Sequence, residues 1–141
     1  MIVENLKTLL ANTYALALKT QNYHWNVTGA NFKTLHLLFE EQYDDLSLAV
    51  DAIAERIRAL GEKAPGSFKI YDKLSIIKDA NENASSSQML KELAEDQTII
   101  LDILKKVIAL AQDKKDEVTT DLAIQRMAIH EKASWMLKSS I

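Results

Sequence analysis

There is no cysteine among the 141 residues, so disulfides, thiol catalysis and thiolate metal sites are excluded. One proline and three glycines leave few points at which a helix must stop. Nearly half of the residues are apolar (48%), yet no run approaches the ~20 consecutive apolar residues that a membrane span requires. The opening MIVENLKTLL has no basic segment followed by an apolar stretch and a cleavage site. The expectation is a cytoplasmic chain with no leader and no membrane contact. A net charge of −3 gives no general basic field to gather nucleic acid.

What is present is the stock of long helices: Leu, Ala, Ile, Lys and Glu. The composition predicts an all-α fold, and the length predicts one domain over residues 1–141. Ile2, Leu6, Leu9, Leu10, Tyr14, Ala17 and Leu18 recur at helical spacing and predict a first helix from Ile2 to about Val27. The break VTGAN follows, with Gly29 suited to a C-terminal cap and Asn31 to an N-cap. A second helix is expected from about Phe32 to Leu60, ended by Gly61. FKIYDKLSIIK reads as a short extra helix within a long connection, and NENASSS as a loop ending in an N-cap serine. Two further helices are expected over Gln88–Ala111 and Val118–Lys138, which completes an antiparallel four-helix bundle.

The second helix has a face that its own core does not use. On a wheel of about 100° per residue, Leu35, Phe39, Leu46, Val50, Ile53, Ile57 and Leu60 share one arc. His36, Glu40, Asp51 and Glu55 fall beside it, at roughly 0°, 40°, 60° and 100° from His36. Each four-residue pair stacks on one surface, but His36 and Asp51 stand about 22 Å apart along the axis, far beyond the ~3.5–4 Å of a two-metal centre. One helix cannot close a site with all four. Two copies packed antiparallel about a two-fold axis near residues 45 and 46 can, because each then faces its His36/Glu40 level with the partner's Asp51/Glu55 level. His24, just before the break, adds a second imidazole. Two imidazoles and three carboxylates suit iron, zinc or manganese. Taken singly, each motif reads more readily as solvated helix surface, with His24 complementing a helix dipole and His36 an ordinary edge histidine; the joint arrangement is what points to a site.

HWNVTGANFKTLH, FEEQYDDL and VDAIAERI closely resemble the Dps family, the ferritin-like mini-ferritins. The resemblance implies a hollow dodecamer with iron sites at its two-fold interfaces. It also implies ferroxidase activity, with hydrogen peroxide preferred over oxygen and ferric mineral stored inside against oxidative stress. Residue by residue it assigns His24, His36 and Glu40 to one subunit's share of the site, and Asp51 and Glu55 to the partner's. The family often has aspartate where this chain has Glu40. It further suggests Trp25 as an electron donor, against the reading of an interface or core aromatic. Glu117 and Asp121 match two acidic positions of a three-fold access pore, Gln112 stands where an acid often occurs, and Asp113 or Asp116 compensates.

His130 and Trp135 read as structural, Tyr43 as a neighbour of the ligand stripe, and Arg56 as an intersubunit or surface ion-pair former. The alternative function is a DNA-compacting structural protein. Relatives that bind DNA commonly use a lysine-rich tail. Here Lys7 and Lys19 are the only basic residues of the first twenty, and the chain closes on LKSSI, so DNA binding is expected to be weak or absent.

Overall fold

The computed structural model describes residues Met1–Ile141 as five helices: α1 (Ile2–Asn26), α2 (Phe32–Ala59), α3 (Phe68–Leu74), α4 (Ser86–Asp113) and α5 (Glu117–Ser139). The apolar spacing locates all four long helices to within about two residues at each end. No helix is long and apolar enough to cross a membrane.

The helix ends have local causes. α2 closes in a Schellman turn, in which Gly61 at φ +98° lets its own N–H reach Arg58 and the Glu62 N–H reach Ile57. α4 closes the same way around Lys115, which takes a φ of 56° although it is not glycine. Ser85 and Gln88 form a reciprocal capping box at the start of α4, and Asp116 caps α5 by accepting the Thr119 N–H. Between α1 and α2 the expectation needs correcting. Val27, in extended conformation, is the cap of α1, Gly29 turns the chain at φ +112°, and the Asn31 side chain makes no capping hydrogen bond. The short five-residue link lets backbone bonds such as Phe32 N–H to Gly29 C=O do that work instead.

α1 packs against α2 and α4, and α4 against α5. Residues 75–81 of the long connection are bonded along α1. Asn12 Oδ1 accepts the Ile76 N–H at 3.0 Å, and the Tyr23 hydroxyl accepts the Asn81 N–H at 2.9 Å. The connection thus carries the chain back to the C-terminal end of α1, and α4 runs parallel to α2. Phe39, Leu46, Ile53 and Ile57 of α2 meet Leu9, Leu16, Leu93, Ile100 and Leu104 in one core, each fully buried side chain contributing about 1.5–3 kcal/mol.

α5 departs from this pattern. Its buried face carries Thr119, Arg126, His130 and Ser134, while Val118, Ile124 and Trp135 are exposed. His130 is structural as expected: its Nδ1–H donates to Gln97 Oε1 at 2.6 Å, and its Nε2 accepts from Arg126 at 2.9 Å. Burial, and then the Arg126 charge, push its pKa down to about 3. Trp135, by contrast, lies on the surface of the protomer.

Candidate metal centre

His24 ends α1 and His36 begins α2, so the turn between these helices folds one imidazole onto the other. Their ring centroids are 3.8 Å apart and their planes 15° from parallel. The two are tied reciprocally: His24 Nδ1 lies 2.7 Å from the His36 carbonyl oxygen, and His36 Nδ1 lies 2.7 Å from the His24 carbonyl oxygen. A carbonyl can only accept, so each Nδ1 carries a hydrogen, and Nε2 is the nitrogen that bears the lone pair in the neutral tautomer. Phe32 stacks on the far side of His36 at 5.1 Å, and Tyr43 covers His24 at 5.2 Å. The imidazoles thus form the middle of a four-ring column that is in place within one protomer.

A nitrogen lone pair lies in the plane of its ring. Two nearly parallel rings one stacking distance apart therefore direct their lone pairs into different planes.

The carboxylates divide as the wheel predicts. Glu40 is half-buried one turn beyond His36, while Asp51 and Glu55 are exposed on the distal half of α2. Hydrogen bonding and charge from Asp51 hold the Glu55 carboxyl above the ordinary range. No three His, Asp or Glu side chains converge within the protomer to hold a metal ion. The structure brings His24 to His36 and Asp51 to Glu55, and leaves these two groups apart.

Trp25 points away from the core at 59% exposure, which removes the core-aromatic reading for the protomer. Glu117 and Asp121 line a surface depression of about 380 Å³ with Gln112, Lys115, Thr120 and Ile124. Asp116 is not free to join them, because it caps α5 and pairs with Arg56 at 3.0 Å. Arg56 is corrected by the same contact: its ion pair is internal to the protomer. Sequence reasoning missed the ring column. Phe32 stands four residues before His36, a spacing that could have signalled a stack, but nothing local foretold that Tyr43 would cover a histidine of another helix.

The ferritin-like domain family model matches residues 3–141. The chain is 36% identical over 138 residues to DNA protection during starvation protein 2 of Bacillus anthracis, covering 98% of this chain and 94% of that protein. This chain belongs to the Dps family. Among solved Dps structures, that from Staphylococcus aureus is 37% identical and superposes with a TM-score of 0.95, over 99% of this chain and 93% of that one. The Dps protein of Vibrio cholerae O1, described as a member of a broad superfamily of ferritin-like diiron-carboxylate proteins, is 34% identical with a TM-score of 0.94, over 98% and 87%. The Dps assignment accounts for the bundle and for the short α3 within its long connection.

Proposed function

We propose that this Dps-family protein is a ferroxidase that oxidises Fe(II) at dinuclear sites shared between subunits and stores the ferric product inside a hollow dodecamer. The single observation that carries this reading is the reciprocally tied, parallel imidazole pair, pre-set to offer two separate nitrogen ligands. His24 and His36 each hold one Fe(II) through Nε2, with Glu40 beside them. Asp51 and Glu55 of a second copy complete the site, and their paired negative charge is neutralised by the incoming cations. Residues 1–141 act as one domain.

With hydrogen peroxide as oxidant, two Fe(II) ions give up one electron each and the O–O bond breaks. Two protons are taken up and two waters form. The extra anionic oxygens of this ligand set favour the ferric product. Removing Fe(II) and peroxide together protects the cell from oxidative stress without DNA contact. Trp25 stands beside His24 as a candidate donor of a further electron. Glu117 and Asp121 mark a candidate route in for iron. DNA compaction is the weaker reading, since a net charge of −3 gives no general basic field to gather nucleic acid.

The test uses His36→Ala and Asp51→Ala, each expected to slow peroxide-driven Fe(II) oxidation at least ~100-fold in stopped-flow traces, about 2.7 kcal/mol of lost stabilisation. Dissociating, mixing and reassembling the two variants places one intact site in each mixed two-fold pair. About a quarter of the parental activity should return. Undiminished oxidation in either single variant rejects the site, and no recovery on mixing rejects sharing between subunits.

A further inference from the structure

Apolar packing joins α2 to α1 and α5 to α4, but α2 and α5 meet at few points. Two charged links bridge them. Asp45 on α2 receives two hydrogen bonds from Arg126 on α5, at 3.2 and 2.9 Å. Eleven residues further along α2, Arg56 reaches Asp116 at the start of α5. Asp51 and Glu55 lie on the stretch between these two links, both exposed. Whatever fixes that stretch of α2 fixes where the two acids point.

The second link is a closed triangle. Arg56 Nη2 donates to Asp116 Oδ1 at 3.0 Å, and Arg56 Nε donates to Thr119 Oγ1 at 2.9 Å. The Thr119 hydroxyl in turn donates to Asp116 Oδ2, and its backbone N–H to Asp116 Oδ1 at 3.0 Å. Thr119 is fully buried, and the side chains of Arg56 and Asp116 are 20% and 15% exposed. A two-pronged guanidinium in such a setting fixes direction as well as distance. A flexible surface ion pair would not.

We propose that Arg56 is a positioning residue for the shared metal centre. Anchored on the cap of α5, it fixes the distal half of α2 so that Glu55, the preceding residue, and Asp51, one turn earlier, arrive at the partner's imidazoles in ligand geometry. The role rests on the ferroxidase reading above. It asks more of Arg56 than stability, because a site assembled from two subunits tolerates little misplacement of either half.

The test compares Arg56→Gln, Arg56→Lys and Asp116→Asn with the parent. Asparagine preserves the α5 cap while removing its charge. Initial oxidation rates are measured against Fe(II) concentration at saturating peroxide, in assemblies of verified size. Amide hydrogen exchange is followed over residues 51–55 and 117–121. Arg56→Gln should raise the half-saturating Fe(II) concentration about tenfold or more, the usual cost of losing a group that orients ligands. Exchange in both segments should quicken, Arg56→Lys should recover part of the loss, and Asp116→Asn should reproduce part of it. If Arg56→Gln fails to assemble, the other two variants carry the comparison. Parental Fe(II) dependence in every assembled variant overturns the proposal, as does a defect that only follows unfolding and that lysine does not relieve. An inactive parent would instead overturn the ferroxidase reading.

Discussion

Inside the bundle Lys19 meets Asp96 at 2.9 Å and Arg126 meets Asp45 at 2.9 Å, whereas on the outer face of α2 Asp51 lies against Glu55 and one imidazole stacks on another. Both regions are rich in polar groups. In the first, opposite charges are set against one another and most donors meet acceptors, while Arg126 Nε and the Gln42 amide are buried without a hydrogen-bond partner. Even His130, buried and neutral, has both ring nitrogens bonded. In the second, like is placed beside like. Groups satisfied at home hold a fold together, while groups arranged at a local electrostatic cost are poised for a ligand.

The largest expected effect breaks the inner region. Lys19→Met strands Asp96, whose carboxyl burial already pushes above its ordinary range, and should cost about 3–5 kcal/mol in denaturant unfolding. Metal binding on α2 should be unchanged in whatever fraction remains folded. Loss of iron oxidation with stability intact would erase the distinction between the regions.

An intermediate effect concerns acid. His130 is held at about 3 against an ordinary value of 6.5, so between these the unfolded chain takes up a proton that the folded chain refuses. Stability must fall as pH drops through that window. His130→Gln, which can still bond to both Gln97 and Arg126, should give a shallower fall in unfolding free energy from pH 6.5 towards pH 3. Parallel pH profiles would show that His130 does not contribute to acid lability.

The smallest effect sharpens the outer region. Glu55 is held above its ordinary range by Asp51, so the repulsion between them develops as pH rises through that raised value. Metal-free Glu55→Gln should therefore be slightly more stable than the parent near neutrality and equal to it in acid, while binding Fe(II) far more weakly. Greater stability of the parent at neutral pH would mean that the two acids are not in conflict.

Much of this was legible in the chain. The spacing of Leu35, Phe39, Leu46, Val50, Ile53, Ile57 and Leu60 gave the inward face of α2, and all but the partly buried Val50 and Leu60 are buried. The same wheel set His36, Glu40, Asp51 and Glu55 on another face and put His36/Glu40 too far along the axis from Asp51/Glu55 for the four to meet within one copy. Asn31 takes the N-cap position of α2 as expected, but its side chain makes no capping bond, because a sequence shows which side chain can accept a bond while the backbone path of a short link decides whether it does. Arg56 was misplaced for a related reason: its neighbour in sequence is Glu55, but its partners are Asp116 and Thr119, some sixty residues away.

The sequence by itself determined the helices, their apolar faces and the separation of His36/Glu40 from Asp51/Glu55, because helical period and rise are local properties of the backbone. Only the tertiary structure decided that His24 and His36 stack, that each ring is locked by the other residue's carbonyl, and that Arg56 ties α2 to α5. Those contacts depend on how separate helices pack and on which polar groups find partners across them, and no periodicity within one helix carries that information.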